Sequence, residues 1–273
     1  FRYTKLGRTI YLGHLDLIRH LPRIFRRAGF ELYYSAGFHP KPELSFGPAL
    51  GLGIPSFGEV LDVKMVGELD PELVRRELQA VTLPGLDFLA AARLGEDDRA
   101  LGRVLSGAEY AALLPKGIQV DEARARFAGP EPLALIRAGS EEKGRRKPGR
   151  RVDVRQSLQV VGEPAPELAE ALAAQLGWTP GRIVTFRVAV THLGSARPLE
   201  VVEALCGLEA AANAALARVG LCAVGGGDER GVEPMELAAV RAGLPGFIAR
   251  SKAAAELVAP DGGDAPVAPV VTA

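Results

Sequence analysis

Arg19, Arg23, Arg26 and Arg27 stand at i, i+4, i+7 and i+8, a spacing that puts three or four guanidiniums on one side of a helix. A guanidinium is a planar fork of donors matched to phosphate, and clustered cations bind polyanions by releasing counterions. Only Asp16 opposes the row, and a carboxylate there suits the helix start. The alternative is a solvated face neutralised by Asp16, Glu31 or neighbouring carboxylates. Gly37-Phe38-His39-Pro40-Lys41-Pro42 follows, a turn that sets an aromatic, a histidine and a lysine beside that face. If Phe38 is exposed, a base can stack on it; if it is buried, the prolines merely fix a loop. His14, Asp16 and His39 suggest acid–base chemistry, since histidine titrates near neutrality. The competing role for His14 and Asp16 is hydrogen bonding at the helix start. Metal-ligand spacings are absent.

A second basic run, Lys143 to Arg151, includes Arg145, Arg146, Lys147 and Arg151, and it leads into Val152-Asp153-Val154-Arg155. Alternation along that strand sets Asp153 and Arg155 on one side. Such runs serve as nucleic-acid patches or as solubilising loops. Gly225-Gly226-Gly227 has no following lysine and no strand–helix setting, so it is not a phosphate loop.

These residues must be positioned by their elements. Residues 2–12 predict a strand. Leu17, Ile18, Leu21, Ile24, Phe25 and Ala28 then form one helical stripe closed by Gly29. Pro22 removes a hydrogen bond inside that helix, at roughly 3 kcal/mol, and predicts a kink. Strands fit 43–50, 58–66 and 86–94, and Asp70-Pro71-Glu72 starts a helix between the last two. The order β-α-β-β-α-β implies a ferredoxin-like domain over 1–98. Strands at 108–114, 132–138, 151–161 and 182–191, with helices at 120–128 and 165–176, suggest a second over 104–225, its hairpin loop the basic segment 139–151. A further helix fits 199–218. The expected fold is therefore α+β, two ferredoxin-like domains in tandem, with a low-complexity tail over 226–273 expected to be disordered.

The 273 residues carry 33 basic and 33 acidic side chains, with 48% hydrophobic content. That length suggests two domains with real cores. Residues 1–50 hold eight Lys/Arg against three Asp/Glu, and residues 137–155 the same. Two local excesses in a neutral chain point to an anionic partner. No apolar run is long enough to span a membrane, and the N-terminus lacks a signal-peptide core, so no membrane partner is expected. Two cysteines fit a reducing, cytoplasmic setting. Phe1 in place of Met fits trimming or a position behind another domain.

The stretch from Lys5 to Lys64 resembles an uncharacterised bacterial family linked to radical SAM enzymes. The matching residues are His14-Leu15-Asp16-Leu17, Arg26-Arg27-Ala28-Gly29, Tyr34 to Pro42, and Gly53…Ser56…Gly58-Glu59 leading to Asp62. Lys147…Asp153-Val154-Arg155 and Arg197-Pro198-Leu199-Glu200 extend it to roughly residues 2–220. The resemblance implies a protein fused to, or encoded beside, a cobalamin-binding-type radical SAM protein. A radical SAM cluster needs three closely spaced thiolates, which Cys206 and Cys222 do not supply. The chain is therefore expected to act as an accessory, with no cofactor of its own.

The leading expectation is an RNA-binding accessory protein acting with a radical SAM partner in RNA modification or processing. Its contact face is Arg19, Arg23, Arg26, Arg27, Phe38, His39 and Lys41, with Arg145, Arg146, Lys147, Arg151 and Arg155 as a second. One alternative is a metal-independent endoribonuclease using His14 or His39; element order is similar to that of ribonucleases that process CRISPR repeat RNA, an analogy of fold only. The other is a module that docks on the radical SAM enzyme without touching RNA.

Overall fold

The computed structural model describes residues 1–94, 101, 105, 107–142, 145–189 and 195–222, with the backbone alone for 140–142 and 145–147. The expected break at 96–99, the low-complexity tail and Gly225-Gly226-Gly227 lie outside them. The protein is α+β, built on one large sheet.

In the first half, β1 (Arg2–Lys5) leads through a 3-10 turn into α1 (His14–Arg27). β2 (Leu44–Phe46), β3 (Ser56–Val63), α2 (Pro71–Val81) and β4 (Phe88–Ala90) follow. The strand at 2–12 expected from sequence is thus cut short, its second part taken by the 3-10 turn Gly7–Tyr11. Helix α1 runs unbroken across Pro22, which is itself buried. Asp70 caps α2 as its position predicts, accepting from the backbone N–H groups of Glu72 at 3.1 Å and Leu73 at 3.3 Å. The strands run β4-β1-β3-β2, every neighbour antiparallel. That is the split βαβ order expected for this half. Leu21, Phe25, Leu61, Val74, Leu78 and Phe88 are among the buried residues of its core.

The main-sheet strands of the second half, read from its last strand, run last, first, third, second, each antiparallel to its neighbour, but they are not the segments expected from sequence, since 132–138 lies off the main sheet and the chain's last strand takes an outer position in this half. The elements of this half are β5 (Gly107–Leu113), α3 (Val120–Ala128), β6 (Ala134–Arg137), β7 (Ser140–Glu142), β8 (Arg145–Lys147) and β9 (Arg150–Asp153). Then come β10 (Leu158–Gly162), α4 (Pro166–Leu176), β11 (Ile183–Ala189), α5 (Pro198–Cys206), α6 (Leu208–Asn213) and β12 (Ala215–Cys222). Here the strand order is β10-β11-β5-β12. The slot beside β5 is filled by β12 from the end of the chain. The helix expected over 199–218 stops at Gly207, whose φ of +93° favours glycine, restarts briefly as α6, and yields to β12. With seven of its eight residues buried, β12 has no alternating pattern to betray it.

β12 joins the halves. It pairs antiparallel with β5 along its length and parallel with β3 at Arg218–Ser56. Gly58 makes the approach possible, since a Cβ there would lie 3.2 Å from the Val219 carbonyl oxygen and 3.3 Å from Gly220 Cα. Off the main sheet, β6–β9 and β7–β8 continue one antiparallel register, so much of the expected loop at 139–151 is drawn out into a β-ribbon.

Candidate nucleic-acid interface

The apolar stripe of α1 sinks Leu17, Leu21, Ile24 and Phe25 into the core, and this turns Arg19, Arg23, Arg26 and Arg27 to solvent. Ile18, expected in the core, is instead 37% exposed. Among the described residues, no carboxylate pairs with Arg19, Arg23 or Arg26. Asp16, the one acid in the helix, accepts from the Gly13 backbone N–H at 2.9 Å and so serves the helix start. Arg27 leans away from the row, Nη1 donating to the Val81 carbonyl at the end of α2, 3.4 Å away.

The turn after α1 is a pinned hairpin. The Glu43 N–H donates to the Tyr33 carbonyl and the Ser35 N–H to the Lys41 carbonyl, both at 2.8 Å. The Lys41 N–H reaches Ser35 Oγ at 3.1 Å. Pro40 and Pro42 stiffen the returning strand, since proline fixes φ. At the tip, the Phe38 side chain is fully exposed, with a relative accessibility of 103%. His39 and Lys41 are exposed as well. The open question of Phe38 is thus answered in favour of an available ring. On one side of the stem, Lys64 Nζ sits 4.6 Å from the Tyr33 ring centroid. On another, a groove of about 370 Å³ runs between α1 and the stem, lined by Pro22, Arg26, Gly29, Phe30, Glu31, Leu32 and Tyr34. Arg26 and the stem therefore share one wall, and helix row and hairpin are neighbours.

His14 opens α1 and meets Phe46 edge-on, with ring centroids 5.0 Å apart, and His39 stands exposed at the hairpin tip. Among the described residues, no group of three His, Cys, Asp or Glu side chains could hold a metal ion.

The second basic region divides. Arg155 donates to the carbonyls of Phe127 at 2.8 Å and of Gly129 and Glu131 at 2.9 Å. It clamps the end of α3, and its guanidinium is engaged, which removes it from the expected contact face. Arg137 at the ribbon base is likewise held, by Glu200 at 2.6 and 2.5 Å and by the Ser195 carbonyl at 3.1 Å. Burial, the largest single influence, pushes the Glu200 pKa up, but the hydrogen bonds from Arg137 and the Arg197 N–H together with the charges of both arginines hold the carboxyl below its ordinary value. Arg151 remains exposed on β9, opposite Ile136 of β6, which is 81% exposed. The side chains of Arg145, Arg146 and Lys147 lie outside the described residues.

A buried ionic cluster escaped the sequence reading. Arg218 is 1% exposed, and its Nη1 lies 3.0 and 3.1 Å from the two Glu59 oxygens. It also donates to the carbonyls of Pro48 at 2.8 Å and Ala49 at 2.9 Å, and to the Tyr110 hydroxyl at 2.9 Å. Ser56 Oγ donates to Glu59 at 2.6 Å. Lys5, close by and buried, donates to the Ile10 carbonyl at 3.0 Å, and its pKa is pushed down chiefly by burial. The available signal was a lone arginine in the apolar run Ala215 to Cys222, which must be matched if buried.

Taken together, fold and surface define a mixed α+β protein with a cationic, aromatic-tipped face on its first helix. The chain belongs to a family described as an uncharacterized protein conserved in bacteria, DUF2344, matched over residues 1–184. Comparison with curated proteins gives no match. The matched stretch ends inside β11, so β12, which completes the sheet, lies beyond it. No helix among the described residues is long and apolar enough to cross a membrane.

Proposed function

We propose that this is an RNA-binding accessory protein that acts with a radical SAM partner in RNA modification or processing. The observation that carries it is the row Arg19, Arg23 and Arg26, exposed and without carboxylate partners among the described residues, beside a pinned hairpin with a bare Phe38. Guanidiniums supply phosphate contacts, and the aromatic tip supplies a stacking platform. The radical SAM link rests on the sequence resemblance around residues 5–64. With only two cysteines in the chain, the cluster would belong to the partner. The test is binding of a structured RNA followed across a salt series. Wild type should lose affinity steeply with salt, and Arg23→Ala with Arg26→Ala should flatten the log–log slope by about 1.5, at ~0.7–0.9 per lost contact. An unchanged slope removes the helix from the interface.

A second reading, docking on the radical SAM enzyme without RNA contact, is favoured by an apolar patch. Tyr11, Leu15, Ile18 and Leu52 are 69%, 65%, 37% and 67% exposed. The Gly53 N–H bonds the Ile10 carbonyl at 2.9 Å and brings Leu52 beside Tyr11. Large apolar side chains left in solvent are candidates for protein contact. Co-purification with the radical SAM protein that survives high salt and fails with Leu15→Glu, without RNA affinity, would favour it.

A further inference from the structure

We propose that the groove between α1 and the hairpin stem is a pocket for one unpaired guanosine nucleotide, its base read by Glu31, stacked on Tyr34 and its phosphate held by Arg26. This rests on the RNA-binding reading for its polymeric source, but its chemistry stands on the groove. At about 370 Å³, the space suits a mononucleotide and lies near the lower end of small-molecule pockets.

The lining combines what a nucleotide needs. Tyr34 is 43% exposed and presents an aromatic ring, and Pro22 and Phe30 add apolar surface. Arg26 and Glu31 line the same groove with opposite charges, yet form no ion pair with each other or with any other described residue. A ligand offering N–H donors at one end and an anion at the other satisfies both. Among the bases, guanine alone has two adjacent donors on its pairing edge, N1–H and the 2-amino group, which a carboxylate accepts in parallel. Cytosine and adenine offer one amino group beside an acceptor nitrogen. Uracil flanks its single donor with two carbonyls, which repel the carboxylate.

The wall is fixed before any ligand arrives. The Glu31 carbonyl accepts from the Val66 N–H at 3.1 Å, and the Tyr33 N–H donates to the Lys64 carbonyl at 2.9 Å. Leu32, between them, is 5% exposed and anchored in the core. Preorganisation of this kind lowers the cost of ordering on binding. Phe38 at the tip is free to stack on the next base of the strand.

The experiment compares three RNAs of one length: a hairpin with a single unpaired guanosine, the same hairpin with adenosine there, and a fully paired duplex. GMP, AMP, CMP and UMP are titrated in parallel. Wild type should favour the unpaired guanosine about tenfold over adenosine. Glu31→Gln should abolish that preference and leave the salt slope unchanged. Tyr34→Leu should weaken the guanosine hairpin about tenfold, with Tyr34→Phe near wild type. Arg23→Ala should weaken all three RNAs alike. Thermal melts confirm that each variant folds. RNA binding indifferent to the base, to Glu31→Gln and to Tyr34→Leu overturns the pocket and leaves the RNA-binding reading intact. Glu31-dependent binding of GMP with no affinity for any RNA assigns the pocket to a free nucleotide and removes the polymer. Failure of every RNA and every mononucleotide overturns both.

Discussion

Arginine leads two different lives in this protein. On α1, Arg19, Arg23 and Arg26 face solvent with no described carboxylate in pairing distance. In the C-terminal half, Arg137, Arg155 and Arg218 are held by carboxylates or carbonyls. The difference comes from the backbone beneath each residue. A helix with one apolar stripe turns its opposite face to water, where a guanidinium stays hydrated and available to a ligand. A strand inside a wide sheet has no such face, so Arg218 must find acceptors for its donors within the fold. Guanidinium count alone says nothing about which of these lives a residue leads.

The comparison is broken most forcefully at Glu59. Glu59→Ala leaves Arg218 buried without its counter-charge, and stability should fall by about 3–5 kcal/mol in urea or thermal unfolding. The burial that lowers the pKa of Arg218 is outweighed by Glu59 and Tyr110, which together keep it charged. Replacing both partners, Glu59→Leu with Arg218→Met, should recover only part of the loss, because the apolar pair removes both buried charges but leaves the Pro48 and Ala49 carbonyls without their donor. If Glu59→Ala melts like wild type, the ion pair is not what fastens β12 to β3.

Arg137 is the next lever. Arg137→Ala strips the charge-assisted bonds from Glu200 and should cost about 2 kcal/mol. The pH dependence has a definite sign. Because Glu200 titrates below its ordinary 4.5, it stabilises the fold above the unfolded value, and that stability is lost as pH falls through the depressed one. In Arg137→Ala this acid-side loss should shrink. RNA affinity should stay level, since Arg137 is engaged at the ribbon base and is no part of the α1 face.

The same contrast explains what could be read from the sequence. The stripe of α1, the Asp70 cap and the helix over 120–128 are local signals, and each corresponds to an observed element. The arginine row was legible because helical spacing alone decides which residues share a face. β12 was not, because Ala-rich sequence after Pro198 continues a helical pattern, and a strand buried on both faces has no period of two to find. The strands of the second half were misassigned for the same reason: with β12 unseen, its outer position went to β11, which pairs with β5 on the other side. The reading of Arg155 by strand alternation does not apply, because β9 ends at Asp153 and Val154–Gln156 is a 3-10 turn, and the carbonyls it meets at the end of α3 come from residues distant in sequence.

The finest test sets Arg19 against Arg155. Arg19→Ala removes an exposed side chain with no hydrogen bond among the described residues, so its melting should match wild type within about 0.5 kcal/mol. The salt slope of RNA binding should still drop by about 0.7–0.9, the share of one phosphate contact. Arg155→Ala should do the reverse. Carbonyls of Phe127, Gly129 and Glu131 lose their donor, stability falls by roughly 1–3 kcal/mol, and the slope does not move. If both variants shift the slope alike, the cationic surface is diffuse and the α1 row has no special place in it. If neither does, the partner that neutralises this row is not a polyanion, and the apolar patch around Leu15 becomes the surface to follow.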